Sequence, residues 1–185
     1  MTAISWKFNV LVITYRGGVR EVLRELRELG RFKASTFRDV VIGRAENLEI
    51  FFEKVEEKLK DKPFLPLSRV IPLDKVFKFN LKTLIDDLKR FVSQYLKEFS
   101  SSESFCVRVE RRGFKGMLSS REIEVEIGRY VQIESENVLG RKLRVDLKNP
   151  DKVILVEVIG GVTGISIVRP DDILSITLLK RKHEF

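Results

Sequence analysis

The chain holds only one cysteine and one histidine. A lone cysteine, Cys106, excludes an internal disulfide and a cysteine zinc cluster. The histidine, His183, lies next to the C-terminus, so neither a histidine-based triad nor an imidazole metal cluster is expected. There is no apolar run of membrane-spanning length, and the opening residues MTAISWKFNV lack the basic-then-apolar order of a secretory signal. The expectation is a cytoplasmic protein with no membrane partner. The phosphate-loop pattern GxxxxGK[ST] is missing, and Gly160-Gly161-Val162-Thr163-Gly164 fits neither it nor GxGxxG. No cofactor is therefore expected. Acid–base spacing is also lacking: of Glu122, Glu124 and Glu126 on one helical stretch, only the first and last share a face. Asp171-Asp172 could pair on Mg²⁺, but after Pro170 they read as a turn. Cys106 falls in a strand pattern and reads as a buried strand residue rather than a nucleophile.

What is present is a globular composition, 43% hydrophobic and 34% charged over 185 residues, enough for one or two domains. The net charge of +8 and pI of about 9.6 favour a polyanionic partner, because Lys and Arg release the counterions held by phosphates. The excess is spread over both halves, so local clustering has to locate a site.

KFNVLVIT (7–14) reads as a buried strand, broken by Gly17-Gly18. Val19, Val22, Leu23 and Leu26 then fall at helical spacing, ended by Gly30. Residues 32–36 and 40–43 suit short strands. Leu48, Phe51, Phe52, Val55 and Leu59 share a helix face before Pro63 and Pro66. SRVIPLDKVF (68–77) looks extended, with Pro72 confining it to an edge or a bend. Strand–helix–strand–strand–helix–strand is the split βαβ, ferredoxin-like order. An α/β (α+β) chain is expected, with that subdomain over 1–78 and a second α/β subdomain over 79–185.

The second part opens with Asn80 as a helix cap and a strongly periodic helix over 81–99, whose charged face carries Lys82, Asp87, Lys89, Arg90 and Lys97. FCVRVERRG (105–113) alternates as a half-buried strand and runs into a basic loop holding Gly113 and Gly116. Ser119 with Glu122 fits a capping box opening the next helix. Between residues 108 and 121 stand five basic residues, Arg108, Arg111, Arg112, Lys115 and Arg121, against the single acid Glu110. A glycine loop followed by a helix N-terminus suits phosphate, through free backbone N–H groups, the helix dipole and Arg forks. The alternative is an ordinary solvated basic turn whose cap serves stability alone. Phe114 is the loop's candidate for stacking on a base, or else an inward-packed anchor. Arg141, Lys142, Arg144 and Lys148 surround a short strand at 142–146. KVILVEVI (152–159) reads as a central strand, residues 165–168 and 173–179 as further strands. The tail Lys180-Arg181-Lys182 could touch RNA or simply solubilise the end.

FCVRVERRG (105–113), SSREIEVEIG (119–128), VDLKNPDKVILVEV (145–158) and GISIV (164–168), in that order, resemble the THUMP domain of tRNA-modifying proteins. The resemblance covers roughly residues 80–179. More narrowly, the chain resembles the stand-alone THUMP proteins that assist tRNA cytidine N4-acetylation. That resemblance implies capture of the tRNA acceptor end with its 3′ CCA tail, and a separate RNA cytidine acetyltransferase as partner. It points to Arg108, Arg111, Arg112, Gly113 and Lys115 on the strand and loop, and to Ser120 and Arg121 at the helix start. Gly160-Gly161 and Gly164 match its strand–turn–strand segment as places of close backbone approach. Arg141 and Lys142 join the expected RNA-binding set. Fused relatives carry a catalytic domain; with the last strand close to the end of this chain, a non-catalytic adaptor is expected. The alternative is an RNA-modifying enzyme or subunit with an unrecognised active site. A third reading, a structural interaction protein docking through the helix at 81–99, sits less well with the basic pI.

Overall fold

The computed structural model describes residues 7–175, which form two compact units with a sheet in each. The first unit holds β1 (Val10–Thr14), α1 (Val19–Leu26), β2 (Arg31–Ala34), β3 (Val40–Arg44), α2 (Leu48–Asp61) and β4 (Leu67–Pro72). A short strand from much later in the chain, β10 (Leu174–Ser175), joins it. The sheet order is β10-β4-β1-β3-β2, antiparallel throughout. Without β10 this is the ferredoxin-like arrangement expected. Its cause is visible in the side chains. Alternate residues Val10 and Val12 of β1, with Val41 and Val70, present one apolar face. Val22 and Leu26 of α1 and Phe51, Val55 and Leu59 of α2 cover that face from their three- and four-residue stripes. Gly43 makes room for the Phe32 ring, which stacks on Phe51 at 5.3 Å; a Cβ at Gly43 would stand 1.9 Å from that ring.

Among the described residues of this unit, one carboxylate is buried. Glu25 of α1 receives Lys62 Nζ at 2.7 Å. That hydrogen bond holds Glu25 below its ordinary value near 4.5, outweighing the opposing effect of burial. A group whose folded pKa is depressed adds stability above its unfolded pKa and loses it as pH falls through the folded one. The stability gap between the native chain and Lys62→Met is therefore expected to be full at neutral pH. It should close on acidification below about pH 4.5, as read by urea unfolding; a gap independent of pH would refute the linkage.

The second unit, Asp74–Pro170, holds β5 (Lys75–Lys78), α3 (Leu84–Tyr95), β6 (Ser104–Arg112), α4 (Ser120–Leu139), β7 (Arg144–Val145), β8 (Lys152–Ile159) and β9 (Val162–Val168). The sheet order is β5-β9-β8-β6-β7, with β6 parallel to both β7 and β8 and the other pairs antiparallel. Val107 and Val109 of β6 and Ile154, Val156 and Val158 of β8 lie under Leu84, Leu88 and Phe91 of α3 and Ile123, Ile127 and Val131 of α4. β8 is buried on both faces, as the apolar residues on each of its faces implied. Beyond the short β7 the edge of β6 is covered by a side chain: Val109 N–H donates to the Glu124 carboxylate at 2.9 Å.

The expected division at residue 78 moves. The stretch read as one extended segment over 68–77 splits at Leu73–Asp74, β4 pairing in the first sheet and β5 in the second. Pro72 stands at the end of β4, the bend its missing N–H permits. Residues 171–175 do not stay with the second unit, since Leu174 pairs with Val70. The rest of the strand expected over 173–179, the basic tail and His183 lie outside the described residues. Asp171 and Asp172 form a 3₁₀ turn with Pro170. The helix expected from Asn80 begins instead at Leu84, because Asn80 closes a turn: its side chain accepts Lys82 N–H at 2.7 Å, and its carbonyl accepts the Thr83 and Leu84 N–H groups.

Candidate nucleic-acid interface

The C-terminal ends of the parallel pair β6 and β8 lie side by side. Arg112 is in register with Ile159, Ile159 with Val162, and Val162 with Lys78, so one row crosses four strands from Arg112 to Lys78. The two-residue turn Gly160-Gly161 is tied to both sides of this edge. Gly160 N–H donates to Arg112 O at 2.8 Å, and Phe79 N–H to Gly161 O at 3.4 Å.

Two helices start here. Lys89 bonds Glu126 at 2.7 Å and Ser93 bonds Tyr130 at 2.5 Å, the same sequence offset twice. α3 and α4 therefore run parallel, and extending that offset sets Thr83 level with Ser120. Both N-termini, with their unpaired N–H groups and positive dipole ends, open at one edge. Ser119 caps α4 by accepting Glu122 N–H at 3.2 Å, as its capping-box spacing predicts.

The loop between β6 and α4 turns through left-handed backbone at Gly113 (φ 103°), Phe114 (φ 52°) and Gly116 (φ 78°). An aromatic residue in that region is uncommon and needs support. Phe114 has it: its ring packs on Phe79 at 5.5 Å and on the core, and its carbonyl accepts the Met117 and Leu118 N–H groups. Phe114 thus serves as an anchor of the loop, the second of the two roles expected for it, and is half-buried there. The exposed groups of the loop are Lys115 and Met117, the latter 67% exposed.

Among the other expected residues, Arg121 is exposed and Ser120 half-buried at the first turn of α4. Arg111 donates to Gly113 O at 2.6 Å, while its Nε–H is buried with no hydrogen-bond partner among the described residues. A buried orphan donor costs roughly 1–3 kcal/mol, which an acceptor brought by a ligand would relieve. Arg112 is already engaged, its guanidinium 2.6 Å from Glu157, a carboxylate 1% exposed. Gly164 is buried in the middle of β9, directly opposite Glu157.

Three further expected residues lie elsewhere in this unit. Arg108 is at mid-strand, where alternation turns it to the face opposite Val107 and Val109, and it donates to Leu147 O at 2.5 Å. Arg141 and Lys142 follow the far end of α4, roughly 30 Å from Ser120 at 1.5 Å per residue. Lys142 pairs there with Glu136.

Sequence reasoning left Lys78 and the role of Lys82 out of this edge. Both are exposed, one at the end of β5 and the other in the turn before α3. Their local signal was the pair of lysines flanking Asn80; that they face the same edge as Lys115 depends on β5 pairing with β9. Cys106 is buried, and burial raises its thiol above the ordinary value near 9.0, as befits a packing residue. Among the described residues, no helix is long and apolar enough to cross a membrane, and no cluster of three or more His, Cys, Asp and Glu is placed to hold a metal.

The second unit is thus a two-layer α/β unit whose strand ends, helix starts and exposed cations meet at one edge. Residues 82–168, which lie within the second unit, match the model of the THUMP domain. Comparison with curated protein sequences gives no match. Among solved structures, the chain is similar to PH1313 from Pyrococcus horikoshii Ot3, with TM-score 0.58 and 17% identity over 91% of this chain and 55% of that one. It is similar to TrmN from Thermus thermophilus, with TM-score 0.63 and 20% identity over 89% and 47%. A 4-thiouridine synthetase in complex with RNA and ATP gives TM-score 0.55 and 19% identity over 88% and 42%. The chain spans about half the length of these proteins, and at such identities the likeness is one of fold.

Proposed function

We propose that this chain binds RNA through the strand-end edge of its THUMP domain and acts as a tRNA-binding adaptor. In this reading it holds the acceptor end and the 3′ CCA tail while a separate RNA cytidine acetyltransferase forms N4-acetylcytidine. The chain itself is non-catalytic. The observation that carries RNA binding is the convergence of two parallel helix N-termini with Arg111, Lys115, Arg121, Lys78 and Lys82 on one sheet edge. The THUMP match and the RNA-bound synthetase of like fold support it. The adaptor role rests on the resemblance to stand-alone THUMP proteins. Phosphate contacts supply most of the affinity, and exposed Met117 offers an apolar contact to an unstacked base of the tail.

Binding to full-length tRNA and to tRNA lacking CCA, across a salt series, tests this reading. Removal of the tail should cost about tenfold in affinity, in line with one or two lost base contacts. Equal binding to both would remove the acceptor-end mechanism. Nucleoside mass spectrometry of tRNA incubated with acyl-CoA tests the adaptor role separately. Product should require the acetyltransferase; product from this chain alone would make it an enzyme.

A further inference from the structure

Among the described residues, the only exposed aromatic side chains are Phe64, at 96%, and Tyr15, at 50%. Both stand at one end of the first sheet. Tyr15 directly follows β1, Phe64 lies in the turn before β4, and the two strands pair antiparallel. Their loops are joined. Tyr15 N–H donates to Pro66 O at 2.8 Å, and Gly18 packs so closely on Pro66 that a Cβ there would stand 2.6 Å from its ring. The turn between β2 and β3 joins them through Asp39. Its carbonyl accepts Thr14 N–H at 2.9 Å, and its carboxylate accepts Gly17 N–H at 3.0 Å.

The backbone holds Phe64 outward. Leu65 N–H donates to Lys62 O at 3.0 Å, closing a β-turn with Pro63 at its second position, where the fixed φ of proline suits the turn. Leu65, the next residue, is buried in the core. A ring presented from so fixed a turn has little backbone freedom left to lose on meeting a partner. The three loops, residues 15–18, 35–39 and 62–66, carry Arg16, Arg38 and Lys62 against one acid, Asp39. Arg38 pairs with Asp39, and Lys62 with Glu25. Arg16 is exposed and has no ion pair or hydrogen bond among the described residues, and the same holds for Arg20 in the first turn of α1, beside the exposed acid Glu21. A protein partner would call for a contiguous apolar patch. Around the two rings the exposed loop residues are Arg16, Gly17, Thr36, Arg38, Lys62 and Pro63, which form none. Exposed rings among unpaired cations suit single-stranded RNA, whose unpaired bases stack and whose phosphates meet the charge.

We propose that this loop edge of the first unit is a second RNA contact, with Phe64 and Tyr15 stacking on unpaired bases and Arg16 and Arg20 meeting the adjoining phosphates. Stacking of this kind is tolerant of sequence, since every base has a π-face. The contact belongs to the first unit and stands independently of the adaptor role.

The test is an NMR titration of the full chain carrying Lys115→Glu and Arg121→Glu, which weakens the edge of the second unit. The probes are hexauridylate and an abasic hexamer with the same phosphates. Hexauridylate should shift the ring protons of Phe64 and Tyr15 saturably, and the abasic hexamer should bind at least about tenfold more weakly. Adding Phe64→Ala or Tyr15→Ala should each weaken hexauridylate binding about tenfold. Phe64→Trp should keep the affinity and Phe64→Leu should lose it, a contrast that apolar contact without stacking would not produce. Arg16→Gln with Arg20→Gln should flatten the log–log salt slope by about 1.4, as for two phosphates of a single strand. All these positions are exposed, and circular dichroism verifies the fold. Equal affinity for the two hexamers would reduce the contact to charge alone, and unchanged binding in the alanine variants would leave the rings to a protein partner. Either result would overturn the proposal, whatever the second unit binds.

Discussion

Replacing Arg112 with methionine should lower the stability of the second unit by about 3 kcal/mol, the scale seen when one partner of a buried ion pair is removed. The partner left behind, Glu157, is 1% exposed in the middle strand β8, while Arg112 itself is 17% exposed. Loss of the guanidinium leaves the carboxylate with less compensation for its desolvation, and it cannot turn to water without breaking β8 from its neighbours. Replacing both partners, with Arg112→Met and Glu157→Leu, should recover most of the loss, since a well-packed apolar pair is often as stable as a buried ionic one. Urea unfolding of the two variants measures this. An unchanged midpoint in the single variant would mean that the pair contributes little. The point matters for function too, because a binding assay alone would credit Arg112 with an RNA contact when the defect is in the fold.

The second large effect is on binding. The double variant Lys115→Glu, Arg121→Glu should bind tRNA roughly a hundredfold more weakly and flatten the log–log salt slope by about 2, as if two phosphate contacts had gone. Both side chains are exposed, neither shows an ion pair, and both stand at the edge where α3 and α4 begin. The same reversal at Arg141 and Lys142 should change affinity much less, because the length of α4 separates them from this edge. Filter binding across a salt series compares the two. Equal losses in both variants would mean that net charge rather than this edge governs binding.

The first unit was readable because its signals are local. β-branched alternation in β1, the Phe51–Val55–Leu59 stripe of α2 and the glycines between them each point to one element, and the order of elements then selects the ferredoxin-like sheet. The cap at Ser119 was readable for the same reason. What escaped were consequences of pairing. Alternation marks SRVIPLDKVF as extended but carries no information on which sheet each half joins. Arg112 looks like its neighbour Arg111 in the sequence, yet the parallel register sets it within reach of Glu157, 45 residues on. The pairing of β9 between β8 and β5 likewise makes Gly164 an interior residue. Phe114 was open to two readings, and the contact that gives it an anchoring role comes from Phe79 at the far side of the sheet.

The return of Leu174–Ser175 to β4 has a bearing on how the protein is made. The chain of the second unit is threaded into the first as an insertion, and the last strand of the first sheet is separated from its neighbour β4 by about a hundred residues, the contact with the greatest loop to close. During synthesis β4 leaves the ribosome as an uncovered sheet edge and stays so until the whole second unit has followed it. Early folding of that inserted domain, by drawing its two ends together, shortens the search for β10 and limits the time in which a nascent chain can pair with its neighbour.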